Sequence, residues 1–477
     1  MYYPSLEEVE KLADQGNLVP IYREINADLE TPVSAYLKIA RPPYSFLLES
    51  VEGGERIARY SFIGTEPMGV VKTGPGQVNG AVDPLIPIEK TLSAFKVAQA
   101  STPERFNGGM VGYLSYETVN YFERLPSPEK DSLGVPESVF MLTTTFLVFD
   151  HLRHKIRVVS HAHLNGDVER AYNEATGRID DLVKRLESPL KLPERNNNGS
   201  SVMTANMTQE EYEDKVNQVK KYIVAGDAIQ VVPSQRLARP TTAHPFEIYR
   251  ALRAINPSPY MYYLNLDDFQ IVGASPEMLV RVENGHVAMH PIAGTRRRGV
   301  DEEEDKALEH DLRTSEKEKA EHIMLVDLGR NDVGRVSEPG TVRVTELMEV
   351  ERYSHVMHLV SHVTGELKKG YTNYDALRAC FPAGTVSGAP KIRAMEIIAE
   401  LEPVKRGPYA GAVGYFDLSG NMDTAITIRT LVVKDGIAYA QAGGGVVFDS
   451  EPQAEYQETL DKASAVLRAI DQAESQA

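Results

Sequence analysis

Two stretches of the chain carry glutamates three residues apart: Glu318 and Glu321 in "RTSEKEKAEHIMLVDLGRND", and Glu455 and Glu458 in "EPQAEYQETLDKASAVLRAI". On a helix, a spacing of i, i+3 puts both carboxylates of a pair on one face. Two such faces brought together make an all-oxygen site suited to Mg2+, which keeps several waters and binds through one or two carboxylates plus substrate oxygens. A solvated helix face carries the same spacing, so both readings stay open. "ERYSHVMHLVSHVTG" holds His355, His358 and His362. These could share a helix face and bind zinc, or point to different faces of a strand; no carboxylate or thiolate completes a zinc signature, and packed histidines are the plainer reading. "FPAGTVSGAPKIRAMEIIAELE" is a Gly-rich turn running into a helix, a place for an anion, but no Gly-Lys-Ser/Thr follows to make a nucleotide loop. "QAGGGVVFDSEP" puts three glycines after a strand, where backbone can approach a ligand. Arg429 in "AITIRTLVV" is a charge inside an apolar run, either paired or reaching for an anion. Together these are parts for a small polyanionic substrate.

The elements that must position them are mixed. Short β-branched and aromatic runs at 43–51, 59–64, 108–117 and 138–152 read as strands, and 166–187 has helical spacing. The segment 186–208, with two prolines, three asparagines in a row and Gly-Ser-Ser, reads as a linker or exposed loop. It separates a region 1–190 from a region 207–477, with 191–206 between them. A helix over 207–227 begins with Thr208 and Glu211 in a capping-box pattern, and 228–240 reads as a strand. Further strands are expected at 260–266, 270–273, 278–283, 286–292, 411–418, 423–433 and 436–442, and helices at 301–327, 373–380, 391–401 and 452–472. Strands dominate and helices fall between or after them, so the fold class is α+β with large, mostly antiparallel sheets.

The 477 residues suffice for roughly two or three domains. A formal net charge of −17 argues against a nucleic-acid binder, though a local cationic pocket can still hold a small anion. A single cysteine, Cys380, excludes an intramolecular disulfide and fits a reducing cytoplasm. The acidic, polar start lacks the marks of a secretory or transit segment. No run approaches the roughly 18 apolar residues of a membrane span. No membrane or nucleic-acid partner is therefore expected.

The motifs "GDAIQVVPSQR", "NPSPYMYYL", "GASPEMLV", "PIAGTRRRG", "EHIMLVDLGRNDVGRV", "FPAGTVSGAPKIRAMEII", "YAGAVGYF", "TAITIRT" and "AGGGVVFDSEPQAEYQETLDKA" occur in an order that resembles the chorismate-utilising enzymes, and within them the large components of anthranilate synthases. The resemblance spans about 208–465 and continues earlier through "LLES" and "RYSFIG". It implies a two-layer antiparallel β-sandwich flanked by helices, an active site between the layers, and Mg2+ as cofactor. Glu321 and Glu458 match the metal ligands, with Glu318 and Glu455 behind them. Arg429 and Tyr409 match positions that bind the enolpyruvyl side chain; Thr385 and Gly443, Gly444 and Gly445 lie against the carboxylates, and Thr295 near the ligand. Glu277 matches a general acid for the departing 4-hydroxyl, which needs a raised pKa to stay protonated. His358 matches the histidine used in the later loss of pyruvate.

The choice of branch rests on two residues. Water-using relatives carry a lysine base where this chain has Gln230, which cannot act as a base, so ammonia fits better as nucleophile. The aminodeoxychorismate branch carries "PIKGT" with a covalent lysine, where this chain has Ala293. The implied reaction is amination of chorismate at C2 and pyruvate elimination to anthranilate; the alternatives are an enzyme stopping at 2-amino-2-deoxyisochorismate, an aminodeoxychorismate synthase component, or a silent scaffold. "LLES" and "NPSPYMYYL" resemble a tryptophan-inhibitor site, with Glu49 and Ser50 at the amino acid's polar end and Pro259, Tyr260 and Met261 around it. Cys380 lacks the Gly-flanked turn of a glutaminase nucleophile, so a separate glutamine amidotransferase subunit, in a hetero-oligomer, or free ammonia is expected to supply nitrogen.

Overall fold

The computed structural model describes residues 1–51, 59–98, 106–193, 202–353 and 356–475. Two large sheets dominate. The first has eleven strands: Leu18–Asn26, Lys155–His163, Thr145–Asp150, Tyr60–Thr65 and Tyr44–Glu49 join edge to edge with Tyr260–Leu266, Phe269–Ser275, Thr430–Lys434, Ile437–Gly443, Ser234–Pro240 and the short Thr204–Ala205. The second has ten. Ile292–Arg297, Val356–Glu366, His286–Met289, Met278–Glu283, Met422–Ile426 and Ala412–Asp417 continue into Gly109–Leu114, Ser138–Thr143 and Gly69–Thr73, with Arg343–Arg352 paired to Val356–Glu366. Both sheets thus draw strands from either side of the 191–206 segment, and the strand pairings within them are antiparallel.

Alternation along each strand builds the sandwich. Phe46 and Tyr262 point into the core between the sheets, with Phe106, Tyr113, Phe146, Phe269 and Tyr415. Their neighbours Leu47 and Tyr263 point outward and are covered by helices carrying Ile179, Phe246 and Val466. The outer face of the second sheet is covered by Leu377, Met395 and Val326. Strands buried on both faces read as continuous apolar runs, which is why "GMVGYL" is buried throughout. The expected two-layer antiparallel sandwich with flanking helices is the observed fold.

Four local expectations are corrected, each by a residue that interrupts a pattern. The run 138–152 is two strands in different sheets, because the chain crosses between layers at Thr144. The strand at 228–240 breaks into Gln230–Val231 and Ser234–Pro240 around Pro233, which has no N–H to donate. The helix at 301–327 is Glu302–Thr314 and Glu316–Gly334, because the Ser315 hydroxyl caps the second by accepting from the Glu318 amide. The strand at 423–433 stops at Ile426 and resumes at Thr430. The seam at 186–208 falls partly on 194–201, outside the described residues. Thr208 and Glu211 do form a capping box, on helix Gln209–Val224.

Candidate functional site

A cavity of about 700 Å3 opens where the chain repeatedly crosses from one sheet to the other. Glu277 lies in the crossing between Phe269–Ser275 and Met278–Glu283, and Arg429 in that between Met422–Ile426 and Thr430–Lys434. Tyr409 precedes Ala412–Asp417, and Gly443 ends its strand. Helices Glu316–Gly334 and Pro452–Ser475 bring Glu318, Glu321 and Glu458 to the same wall. Thr295, His358, Thr385 and Ala293 also line it. Crossings free side chains from the pleat, so residues distant in sequence converge there.

Glu277 is buried, and burial pushes its carboxyl up to about 8 against the pull of Thr385, Lys462 and Arg429. The Thr385 hydroxyl donates to Glu277 Oε1 at 2.7 Å. A carboxyl of this kind is protonated at neutral pH and can give its proton away. His358 is on a strand, which settles the open reading of that segment. Its Nδ1 lies 3.0 Å from the Gly294 carbonyl oxygen and 3.0 Å from Thr295 Oγ1. A carbonyl only accepts, so Nδ1 carries the proton and Nε2 is the basic atom; burial holds the ring down to about 4, hence neutral.

The turn "PIAGT" makes this possible. Gly294 sits at φ +62 where the register of Ile292–Arg297 against Val356–Glu366 shifts, a bulge that turns its carbonyl onto His358. A Cβ there would meet Leu312 at 2.8 Å and Glu318 Oε2 at 3.0 Å. The arginines that follow do not line the cavity: Arg296 bonds Asp311 and Glu318, Arg297 pairs with Glu304, and Arg298 with Asp305 at 2.9 Å. They are salted by the acidic run after them, and only Arg296 reaches the site, through Glu318.

Arg429 adopts φ +49, left-handed backbone that costs a non-glycine residue about 1 kcal/mol or more. Its guanidinium has no hydrogen-bond or ion-pair partner among the described residues, and burial pulls its pKa down, opposed by Glu277 only when that carboxyl is ionised. A cation held this way is suited to an anion from outside. Of the three glycines, only Gly443 lines the cavity. A Cβ on Gly444 would meet Glu455 Oε2 at 2.5 Å, and one on Gly445 would meet Gln230 Nε2 at 2.7 Å, so these two give room to the residues behind the wall. Gln230 is one of those, donating to Glu321 Oε1 at 3.1 Å.

The acidic wall fits a cation. Glu321 is raised by burial and by its neighbours Glu318 and Glu458, against the bond from Gln230. Glu455 is raised by burial and by Glu458; one of its oxygens accepts from Ser450 at 2.6 Å, while Oε2 is buried with no partner. Among the described residues no three His, Cys, Asp or Glu side chains already converge as a metal site. Two carboxylates plus substrate oxygens are what Mg2+ commonly uses. Among the described residues no zinc cluster forms either: His358 faces the cavity and His362 packs at a tilt against His290 with ring centroids 4.4 Å apart, while His355 lies outside the described residues.

Lys462 was not among the residues expected from sequence. It bonds Glu458 at 2.7 Å and the Gly443 carbonyl at 2.9 Å and lines the cavity. Its position four residues after Glu458 was the available signal.

A match to the chorismate binding enzyme family model covers residues 43–468. The chain belongs to the chorismate-binding enzyme family. It is 50% identical to anthranilate synthase component 1 of Acetivibrio thermocellus, with 99% of each chain covered. A solved structure of anthranilate synthase component I from Streptococcus pneumoniae is 39% identical and superposes with a TM-score of 0.77, covering 93% of this chain and 98% of that one. The menaquinone-specific isochorismate synthase of Escherichia coli, at 18% identity, shares the fold with a TM-score of 0.72 over 98% of each chain.

A second cavity, of about 100 Å3, lies between the sheets and is lined by Glu49, Ser50, Pro259, Tyr260 and Met261, faced by Arg281, Tyr415 and Asp423. All five residues expected around an amino-acid ligand meet there. The Glu49 carboxylate is already engaged by Tyr249 and by Arg253 at 3.0 Å, so it closes the end of the pocket with its charge matched. No described helix is long and apolar enough to cross a membrane.

Proposed function

We propose that the chain carries out the anthranilate synthase reaction on chorismate as the component that binds it, and that the cavity between the sheets is where it does so. The observation that carries this reading is a protonated, buried Glu277 and a neutral His358 on one cavity with an unpaired Arg429. Arg429 and Tyr409 hold the enolpyruvyl carboxylate. Ammonia forms a bond to C2, the ring double bonds shift, and the C4–O bond breaks as Glu277 gives its proton to the hydroxyl, which leaves as water. The ammonium formed on C2 loses one proton to become the amine. His358 Nε2 then takes the proton from C2, the C3–O bond breaks, pyruvate leaves and the ring becomes aromatic. Ala293 offers no amine at the position where the aminodeoxychorismate branch carries its covalent lysine.

Glu321 and Glu458 would hold Mg2+, with Glu318 and Glu455 behind them, and the buried, unpartnered Glu455 Oε2 supports this assignment. When bound, the ion neutralises the ring carboxylate and anchors it. Cys380 is fully buried and its thiol is pushed well up, so it supplies no thiolate for glutamine hydrolysis. A separate amidotransferase subunit therefore provides ammonia, as the "component 1" designation of the relatives fits. The second cavity would take tryptophan as a feedback inhibitor, its indole among Tyr60, Phe62, Tyr260 and Tyr415. The test is to supply chorismate, Mg2+ and ammonium without a partner and follow anthranilate fluorescence. Formation of isochorismate, salicylate or 4-amino-4-deoxychorismate in its place would refute the reading.

A further inference from the structure

Arg406 is the largest of the fully buried side chains, and it stands outside the wall of the substrate cavity. Its Nε and Nη2 bond the two oxygens of Glu402 at 2.9 and 2.6 Å. Nη2 also donates to the Val232 carbonyl, and Nη1 to the Val386 carbonyl, each at 2.7 Å. The guanidinium lies over the rings of Tyr116 and Tyr409, 4.7 and 5.5 Å from their centroids.

All of these contacts except that with Tyr116 lead to the site. Val386 follows Thr385, whose hydroxyl holds Glu277. Val232 is two residues past Gln230, which holds Glu321. Tyr409 lines the cavity. Glu402 Oε1 also accepts from the Ser234 amide and hydroxyl, both at 2.8 Å, and Ser234 Oγ receives Gln441 Nε2 at 2.8 Å, another cavity residue.

A buried ion pair is weak as a source of stability, since desolvation offsets most of the attraction. What a guanidinium supplies here is geometry: a rigid planar fork whose donors fix the relative placement of several segments at once. We infer that Arg406, locked by Glu402, is a positioning residue for the amination reaction, holding the Thr385 turn, the Val232 segment and the Tyr409 ring in catalytic register. This rests on the anthranilate synthase reading. An ammonium at this position has three donors radiating from one atom and cannot span Glu402 and both carbonyls.

The test is a pair of mutant cycles, with kcat and KM for chorismate measured in excess ammonium: Arg406→Lys and Glu402→Gln, each alone and combined with Thr385→Val. Misplacement of catalytic groups by about 1 Å costs up to a hundredfold, so kcat should fall about tenfold or more while KM changes less than about threefold. If Arg406 acts through the Thr385 turn, the same substitution should cost much less once Thr385 is Val. Circular dichroism and thermal unfolding report folding, and if Arg406→Lys does not fold, the Glu402→Gln cycle decides alone. An unchanged kcat, or costs that multiply in full, overturns the inference while leaving the reaction assigned. A wild-type protein that makes no anthranilate would instead overturn the functional reading and this inference with it.

Discussion

Replacing Thr385 with Val exchanges a hydroxyl for a methyl of similar size and removes the 2.7 Å bond to Glu277 Oε1. That bond favours the ionised carboxylate, opposing the burial that lifts Glu277 to about 8. A hydrogen bond to a charged group is worth about 1.5–3 kcal/mol, and 1.36 kcal/mol corresponds to one pH unit. Because Thr385 borders an open cavity that water can enter, the lower end applies, and Glu277 should titrate about one pH unit higher. A general acid works while protonated, so turnover is present below its pKa and lost as pH rises through it. The wild-type protein should therefore lose kcat around pH 8, and the variant around pH 9 with a lower plateau. The assay is anthranilate formation at saturating chorismate, with free ammonia rather than total ammonium held constant across the pH series. Glu277→Gln should remove nearly all activity. A limb in Thr385→Val that stays in place or moves down would show that Glu277 does not set it, or that Thr385 does not stabilise its carboxylate.

Arg429→Met should raise KM for chorismate about ten- to a hundredfold, the worth of a charge-assisted bond to a carboxylate, in steady-state kinetics. Glu321→Gln should weaken Mg2+ binding in calorimetry at least about tenfold and nearly abolish turnover, whereas wild-type-like binding removes it from the metal site. Ser50→Leu should fill the second cavity and relieve tryptophan inhibition with kcat unchanged; retained inhibition places the effector elsewhere. Stability should also depend on pH. Burial raises Glu117 to about 7 and Glu277 to about 8, so the folded state holds protons that the unfolded chain has released. His161, His322 and His358, held down to about 4, favour folding as pH rises but finish near pH 6.5. Between pH 6.5 and 8 the glutamates act unopposed, and thermal stability should decline there, by about 2 kcal/mol from Glu277. Glu277→Gln should flatten that decline.

The large antiparallel sheets were legible because strands buried on both faces, such as Gly109–Leu114, stand out as apolar runs, whereas their stacking into two layers was implied by the family resemblance. The helical glutamate pairs were legible as spacing, and three of the four carboxylates line the cavity. Periodicity could not reveal where one apolar run changes sheet, as at Thr144, since both halves carry the same residue types. Arg429 looked like a strand residue because a left-handed turn in an apolar run leaves no glycine to mark it. The roles of Gly444 and Gly445 depend on what lies behind them, Glu455 and Gln230, which are distant in sequence. Glu49 was expected at the polar end of an amino-acid ligand, and its partners Tyr249 and Arg253 were not legible because they are some two hundred positions away.

The central claim is the site of amination. Incubating the protein with chorismate, Mg2+ and isotopically labelled ammonium, and locating the label by NMR, tests it directly. The account predicts labelled nitrogen on the ring carbon next to the carboxylate, with one pyruvate released per anthranilate. Label on the carbon opposite the carboxylate, or oxygen in its place, would contradict it.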